Sequence, residues 1–600
     1  MDTLLPSNQT LEEYSAAVPW QDIERRKRRF NQVIESIATD PNDEPLPLDE
    51  ISDAVGRPVF AYYDPDSVEG ANVFLANMDG HSYVLGSVVS KRYRAGKTLA
   101  QSIVPYNLNP SVNHTNIAET DEPTTRTRAM GAEIELGLYY PGGESPSEDE
   151  MQEYIHLYVE HAHRLGIYPR LDREAAQYQI ETHIAPSVGY QKIRKALEGI
   201  MLSLTAASKE TGLFTNILSV YAPYSDFKTT EHPKVQAALD LMREVNNHFP
   251  SYTRKLEEAK ARYRMDPACH VVNVFRIQGC HIHMELAGRS EALGLMSFYT
   301  LLRSATALAN AAVLKGGPFV NGTCDAERLC AREYLRQTTV TGRYIDLPTS
   351  PHFTENGLER YADLLRSEKA NAVARAMLRD DGLGEGVSAM HNPIGRVRPD
   401  LPGSRRACTL ESMGVSANIS ASRTAAVLTD FELSHAVIEN YFRKYGCDLE
   451  PMYNDKTLWA LMGPLDRETF VQQQDQSDRE CTDVVLTTAA GTRMTLAEFY
   501  EMKRLYMHKA LVDIVEITPR DIDDVYMSLS RMLAPPSGLT AQTIEQFVFD
   551  PKLKSTGNWG QILRNAYLEE GGVPGAHDPD AVLRVSNRLH NALCERYLKN

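Results

Sequence analysis

The chain contains 600 residues, of which 42% are hydrophobic and 24% are charged, and these proportions are ordinary for a globular protein. At about 150 residues per domain, this length predicts about two to four domains. The net charge of −17 argues against nucleic acid as the main ligand, because phosphate backbones attract basic surfaces.

The beginning of the chain lacks the basic and apolar segments of a signal peptide. No stretch reaches the roughly 18 apolar residues that a membrane span requires. The eight cysteines include no CxxC pair, and so few cysteines in a long chain favour reduced thiols over a disulfide framework. Together these features predict a cytoplasmic protein without a membrane partner.

The first part of the chain has mixed patterning. Residues 1–45 have helical spacing, whereas apolar and aromatic runs between residues 58 and 104 predict short strands. The polar stretch at residues 107–128 is typical of a linker or flexible loop.

From residue 128 onward the patterning alternates between strands and helices. Strands are predicted at residues 132–138, 178–184, 280–286 and 409–413. Helices are predicted at residues 150–165, 190–209, 290–314 and 422–445, and the apolar composition of the third predicts a core element. The rest of the chain is predicted to be mainly helical, with helices at residues 496–514, 522–532, 540–549 and 580–597.

Two acids stand two residues apart in the first of these predicted strands. Alternation places Glu133 and Glu135 on one face, about 7 Å apart, while Ile134 and Leu136 point into a core. Two carboxylates on one face repel each other unless a cation lies between them, and Mg²⁺ and Mn²⁺ prefer oxygen ligands. Taken alone, the pair is better explained as two solvated acids on a half-exposed strand.

The three later strands repeat this arrangement. Their same-face polar residues are Gln179, Glu181 and His183 on the second, His281, His283 and Glu285 on the third, and Glu411 on the fourth, which follows Arg405 and Arg406. Each short pattern has a plain structural explanation by itself. Four strands that offer acids, histidines and arginines together predict one sheet face that holds metals and phosphates.

With these residues in order, the chain resembles the glutamate–cysteine ligase family, which is related to bacterial carboxylate–amine ligases within the glutamine synthetase-like superfamily. The G-x-E-x-E, Q-x-E and G-x-H-x-H strands of that family are matched at Gly131–Glu135, Gln179–Glu181 and Gly279–His283. Its Pro-Phe…Gly…Arg segment, its I-x-R-P loop and its T-x-E strand are similar to Pro318–Arg332, Ile394–Pro399 and Thr409–Glu411.

The resemblance covers roughly residues 128–445 and implies an α+β fold. In that fold a glutamine synthetase-like catalytic domain has a curved antiparallel sheet with helices on its outer side. The predicted regions are an N-terminal accessory region, the catalytic domain, and a helical C-terminal region packed on that domain, at residues 1–127, 128–450 and 451–600.

The resemblance also implies an activity. It predicts an ATP-dependent ligase that joins a carboxylate, such as that of glutamate, to an amine through an acyl phosphate, with Mg²⁺ or Mn²⁺ as cofactor. Phosphoryl transfer of this kind depends on positioning and charge neutralisation rather than on a covalent nucleophile. The predicted partners are a small acid and a small amine, and whether the chain forms a homo-oligomer is left open.

Residue roles follow from the matched motifs. The predicted metal ligands are Glu133, Glu135, Glu181, His281 and Glu411. Arg396 and Arg398 are predicted to be catalytic and to grip the phosphates or the acyl phosphate, because a guanidinium fork matches such anions. His283 and Arg332 are predicted to contact ATP.

The chain departs from the family pattern at two positions. The last strand of the family usually continues E-x-R, but residue 413 is a methionine, and Glu285 adds an acid that related strands lack. Both departures leave the identity of the acid and the amine open. Two other hypotheses remain: a phosphotransferase on the same fold, such as a kinase of guanidino compounds, and a non-catalytic protein that binds a nucleotide or an amino acid.

Overall fold

A computed structural model describes a large part of the chain. Apart from isolated positions and short breaks, the described residues are 59–64, 71–78, 81–89 and 102–105, for which only the backbone is described, and then 129–223, 250–265, 275–286, 291–338, 395–398 and 409–598. The predicted N-terminal helices and the linker at residues 107–128 lie outside these ranges.

Four strands form a separate antiparallel sheet near the beginning of the chain. They pair in sequence order and are β1 (Val59–Asp64), β2 (Ala71–Met78), β3 (His81–Val89) and β4 (Ser102–Pro105). Each neighbouring pair is antiparallel. The prediction of short strands between residues 58 and 104 is therefore confirmed.

A second, seven-stranded sheet carries the residues of interest. Its strands are β5 (Met130–Tyr139), β6 (Leu171–Arg173), β7 (Gln179–Ser187), β8 (Phe214–Asn216), β9 (Cys280–Glu285), β12 (Gly395–Arg398) and β13 (Thr409–Ser412). The order across the sheet is β12-β13-β9-β5-β7-β6, with β8 beside β5, and every pairing is antiparallel. The four strands predicted from the central patterning are all present.

Alternation on β5 explains which face of the sheet is buried. Met130, Ala132 and Ile134 are buried in the core, whereas Glu133 and Glu135 are only half-buried on the opposite face. The short hairpins β10–β11 (Phe319–Val320, Thr323–Cys324) and β14–β15 (Val485–Thr487, Arg493–Thr495) lie outside the sheet.

Helices make up most of the remaining described structure. The first seven are α1 (Glu148–Arg164), α2 (Tyr190–Thr211), α3 (Pro250–Tyr263), α4 (Glu291–Ser297), α5 (Ala305–Leu314), α6 (Arg332–Arg336) and α7 (Ala421–Tyr445). The others are α8 (Glu450–Asn454), α9 (Lys456–Met462), α10 (Arg467–Glu480), α11 (Leu496–Ala510), α12 (Pro519–Leu533), α13 (Ile544–Val548), α14 (Trp559–Glu569) and α15 (Pro579–Leu598). The mixture of helices and antiparallel sheet is an α+β fold.

One apolar core connects the sheet to the helices. It extends continuously from Met130 on β5 to Leu593 on α15. The Tyr158 hydroxyl of α1 lies 2.7 Å from Thr182 Oγ1 of β7, so a buried hydrogen bond also joins the helical layer to the sheet. The helices of this core therefore cover the apolar face of the sheet, and the face with the acids is the one that the core does not cover.

The predicted helix at residues 290–314 is wrong as a single element. It consists of α4, a π-helical turn at Phe298–Leu302, and α5, with the extended backbone of Ser304 (φ −111°, ψ 175°) before α5. The Arg303 carbonyl at this break accepts a hydrogen bond from Leu465 N at 2.8 Å, so an external contact replaces an intrahelical one. The apolar composition still indicated a core element correctly, since Ala305 and Leu314 at the two ends of α5 are both buried.

The C-terminal part contains further differences in detail. The predicted helix at residues 540–549 is the shorter α13, and the β14–β15 hairpin was not predicted, because strands of three residues are too short to show a clear period. In the described ranges, no helix combines the length and the apolar character needed to cross a membrane.

A buried histidine joins α15 to the edge of the sheet. His590 Nδ1 accepts a hydrogen bond from Thr215 N of β8 at 3.1 Å, and its ring stacks on Phe214 with the ring centroids 4.0 Å apart. Burial lowers the pKa of His590 from 6.5 to about 4. The neutral ring is thus required for the contact, because a protonated Nδ1 cannot accept.

The contribution of His590 to stability is expected to fall with acidification. Below pH 6.5 the unfolded chain binds a proton that the folded chain binds only near pH 4, so stability is lost as the pH falls through this window. The loss at pH 4.5 is about 2 kcal/mol. The thermal midpoint of the native chain should therefore fall more steeply between pH 7 and 4.5 than that of His590→Gln. Equal slopes of thermal midpoint against pH in the two proteins would contradict this prediction. The control is His163→Gln, at an exposed position, which should keep the slope of the native chain.

Candidate metal centre

Strand register brings acids and histidines together on the open face of the seven-stranded sheet. Side chains that lie directly opposite each other on antiparallel strands share a face and approach closely. The cross-strand pairs on this face are Glu135 with Glu181, Glu133 with His281, and His283 with Glu411. The residues predicted from four separate strands are therefore neighbours.

Two groups of three side chains have ligand atoms close enough together to hold a metal ion. Ligand atoms of Glu133, Glu181 and His281 lie within 4.8 Å of one another, and so do those of Glu133, His283 and Glu411. Glu133 belongs to both groups, so the two candidate positions for an ion are adjacent. Sets of carboxylate oxygens and imidazole nitrogens suit divalent ions such as Mn²⁺, and Mg²⁺ uses the oxygens.

Both histidines approach the shared carboxylate. His283 Nε2 lies 3.2 Å from Glu133 Oε1, and His281 Nδ1 lies 3.5 Å from Glu133 Oε2. The imidazole nitrogens and the carboxylate oxygens are thus close enough together to be ligands of the same ion.

The predicted and observed groupings differ at two residues. Glu135, predicted as a ligand, belongs to neither group: its Oε2 accepts a hydrogen bond from Gly279 N at 2.5 Å, and its Oε1 lies 3.8 Å from His281 Nε2. His283, predicted to contact ATP, belongs to the second group. The geometry thus makes both histidines eligible as ligands, and the role of Glu135 as a ligand stays a prediction.

The electrostatics of the face are dominated by crowded carboxylates. Burial raises the pKa of Glu181 well above its usual range, and the charges of Glu133 and Glu174 raise it further. Burial and the nearby Glu135 raise the pKa of Glu174 to about 7. Burial alone would also raise the pKa of Glu133, but His283 and His281 hold it well below the ordinary value. Such a cluster retains protons unless a cation replaces them, which fits a divalent ion.

Glu174 is a residue of this face that the sequence analysis missed. It follows β6, is hydrogen-bonded to Glu181, and is close enough to Glu135 and Glu133 for their charges to affect its pKa. The weak signal was the alternation of Asp172 and Glu174, but β6 has only three residues. Asp172 itself lies 2.9 Å from His183 Nε2 and so occupies the end of the same face.

A glycine allows the close approach of three charged groups. A Cβ atom at Gly279 would lie 3.0 Å from His281 Nε2, 3.1 Å from Arg332 Nη2 and 3.2 Å from Glu135 Oε2. These distances are shorter than ordinary van der Waals contacts, so any other residue would displace one of the three groups. The G-x-H-x-H pattern therefore includes its glycine for a steric reason.

Arg332 lies beside the face that carries the candidate metal ligands, and its contact with ATP stays a prediction. The side chain is buried; Nη1 donates to Glu333 Oε1 at 2.5 Å and Nη2 to the Met413 carbonyl at 2.9 Å. Arg336 Nη1 donates to the same carbonyl at 3.0 Å. Two guanidinium groups thus donate to the backbone carbonyl of the residue that directly follows β13.

The two predicted catalytic arginines lie on the edge strand β12. Arg396 occupies the register position opposite Glu411, and Arg398 the position opposite Thr409. Their strand is therefore next to the candidate metal ligands, although only their backbone is described. Arg405 and Arg406 lie outside the described residues.

Comparisons with known proteins give limited information. No family model matches the chain, and no curated protein sequence matches it. One similar solved structure is a bifunctional glutathione synthetase from Pasteurella multocida, with 12% identity and a TM-score of 0.42 over 81% of this chain and 54% of that one. Another is the complex between prokaryotic ubiquitin-like protein Pup and its ligase PafA, with 13% identity and a TM-score of 0.35 over 77% of this chain and 72% of that one. This chain therefore spans about half the length of the synthetase, and at TM-scores below 0.5 neither likeness identifies its function.

Removal of the shared carboxylate should abolish both ion positions. We expect Mn²⁺ titrations to show two sites in the native chain, none in Glu133→Gln, and one in Glu411→Gln, because only the second group contains Glu411. Isothermal calorimetry measures the number of sites and their affinities. Glu285→Gln is the matched control: Glu285 lies on β9 with His281 and His283, accepts from Ala129 N at 3.2 Å and belongs to neither group. Equal losses in Glu133→Gln and Glu285→Gln would rule out this assignment.

Metal affinity is also expected to rise with pH. Bound ligands must be deprotonated, and the pKa of the candidate ligand His281 is raised to about 9 because Glu135 and Glu133 outweigh its burial. The neighbouring Glu174, whose pKa burial and Glu135 raise to about 7, loses its proton more readily when a cation is bound beside it. Affinity for Mn²⁺ should increase by roughly tenfold per pH unit for each proton released between pH 6 and 8. Calorimetry in two buffers of different ionisation enthalpy counts these protons. Glu174→Gln should lower the slope, and a pH-independent affinity would contradict the prediction.

Proposed function

We propose that this chain is an ATP-dependent ligase that joins a carboxylate to an amine with the help of divalent metal ions. The observation that carries the proposal is one sheet face on which Glu133 is shared by two candidate ion positions, with the buried Arg332 beside them. Adjacent divalent positions next to an arginine suit the charged oxygens of a transferring phosphoryl group.

A carboxylate and an amine do not condense in neutral water, because the carboxylate oxygen is a poor leaving group. In the proposed reaction, a carboxylate oxygen bonds to the γ-phosphorus of ATP as the bond from that phosphorus to the bridging oxygen breaks, and ADP leaves. The amine nitrogen then bonds to the acyl carbon, the bond from that carbon to the phosphate oxygen breaks, and phosphate and a proton are released. Divalent ions, when bound, neutralise the phosphate oxygens.

The residues of the chain have distinct roles in this proposal. Glu133, Glu181 and His281 hold one ion, and His283 and Glu411 hold the other together with Glu133. Glu135 lies 3.8 Å from His281 Nε2 and is a further candidate ligand on the same face. Arg332 and the two arginines of β12, Arg396 and Arg398, neutralise the phosphates and the acyl phosphate, since guanidinium groups bind such anions in a bidentate manner.

The proposal extends to the family and to the domains. We assign residues 128–450 to a glutamine synthetase-like catalytic domain of the glutamate–cysteine ligase type, with residues 1–127 as an accessory region and 451–600 as a helical region packed on it. The antiparallel sheet with helices on one face and acids on the other supports this assignment. Glutamate is the default acid of that family, and a different pair of substrates is compatible with Met413 and Glu285.

Product formation tests the proposed reaction against its rivals. We expect Mg²⁺–ATP to raise the thermal midpoint of the protein, and ADP release to require an acid and an amine together in a screen of amino acids and amines. Mass spectrometry of the product should show the sum of the two substrates minus water. A stable phosphorylated acceptor formed with one substrate alone would indicate a phosphotransferase. Failure of Mg²⁺–ATP to change the thermal midpoint would contradict the proposal that the chain is an ATP-dependent enzyme.

Glu133→Gln should lower the rate of ADP release by at least about 100-fold, because loss of the shared ligand removes charge neutralisation at both ion positions. Glu285→Gln, whose carboxylate belongs to neither group, should retain the native rate within about twofold. An undiminished rate in Glu133→Gln would contradict the metal assignment.

A further inference from the structure

The short helix α6, which presents Arg332 to the metal face, begins at a carboxylate from a distant part of the chain. Asp478 Oδ2 on α10 accepts hydrogen bonds from Glu333 N and Tyr334 N, each at 3.1 Å. The first amides of a helix have no intrahelical partner, and Ala331 at the N-cap has no side chain that could accept from them. Asp478 therefore caps α6 from outside.

The same residue also holds the chain segment that leads into α6. The Asp478 carbonyl accepts from Leu329 N and Cys330 N, each at 2.9 Å. Four backbone amides within six residues thus donate to Asp478. Its Oδ1 lies 2.7 Å from Lys315 Nζ, both side chains are 1% exposed, and Lys315 Nζ donates to the Gln474 carbonyl at 3.3 Å. The carboxylate is consequently held in place by a buried ion pair.

The position of Arg332 depends on this arrangement. Arg332 is the first residue of α6, and its guanidinium is held between Glu333 Oε1 and the Met413 carbonyl. Its Nη2 is close to Gly279, beside Glu135 and His281. A shift of α6 by 1 Å would move the guanidinium by a similar distance relative to the metal face, and displacements of that size cost about 100-fold in rate.

We propose that Asp478, paired with Lys315, is a positioning residue for the nucleotide site. It fixes α6 so that Arg332 meets the phosphates of the bound nucleotide, and it thereby makes a helix of the C-terminal region part of the phosphate-binding apparatus. This inference rests on the proposed function, because it assumes that Arg332 binds phosphate.

A second buried ion pair provides the matched control. Lys503 Nζ on α11 lies 2.6 Å from Asp430 Oδ2 on α7, both residues are fully buried, and Asn310 Nδ2 donates to the same oxygen at 2.9 Å. Removing one partner of a buried pair is destabilising in either case. Asp430 makes no described contact with α6 or the metal face, so only Asp478 should affect nucleotide binding.

Binding of Mg²⁺–ADP, measured by calorimetry, tests the inference. Asp478→Asn should weaken binding at least tenfold, and Asp430→Asn less than twofold, although both lower the thermal midpoint. In an Arg332→Gln background, Asp478→Asn should weaken binding by less than a further twofold, because its effect passes through Arg332. If Asp478→Asn does not fold, Lys315→Gln serves instead. It removes the charge that is paired with Asp478 and should weaken Mg²⁺–ADP binding in the same manner.

Three results would overturn the inference alone: native affinity in folded Asp478→Asn, equal losses in Asp478→Asn and Asp430→Asn, or additive losses with Arg332→Gln. In each of these the native chain still binds Mg²⁺–ADP, so the proposed function stands. Failure of the native chain itself to bind Mg²⁺–ADP would instead overturn the proposed function and this inference with it.

Discussion

Repulsion among carboxylates on one face of the seven-stranded sheet is the constraint on which the rest of the described structure depends. Glu133, Glu174 and Glu181 are too close together for all of them to be ionised without compensation in a buried setting. His281 and His283 lower the pKa of Glu133, the carboxylate that both candidate ion positions share. The negative charge of these carboxylates is therefore not fully balanced by the two histidines of the same face.

Further positive charge reaches this face from outside the sheet. Arg332 enters on α6, and behind it the Lys315–Asp478 pair connects the helix to α10. The apolar core runs without interruption from β5 to α15, so the C-terminal helices and the sheet are one packed unit within the described residues. The site is thus assembled from contacts over nearly the whole length of that unit.

Features that depend on residues close together in the chain were predicted from the sequence, whereas features that depend on contacts between distant residues were not. Strands were predicted because the alternation of Glu133 and Ile134 is local, and register then placed their acids together. Glu174 was missed because β6 is too short to show a period, and Asp478 because its role depends on amides some 150 residues away in the chain, at Leu329 and beyond. The break at Ser304 was missed because apolar residues resume directly after Arg303 and Ser304, and two polar residues alone did not indicate the end of a helix.

The contact of Arg332 with the backbone of Met413 has a consequence for how related chains are to be compared. A carbonyl oxygen is supplied by every amino acid, so the anchor for Arg332 and Arg336 is independent of the side chain at this position. A change of side chain at position 413 therefore leaves the anchor in place. A comparison of related chains by side-chain identity alone would count the segment after β13 as changed, whereas a comparison of backbone acceptors would count it as intact.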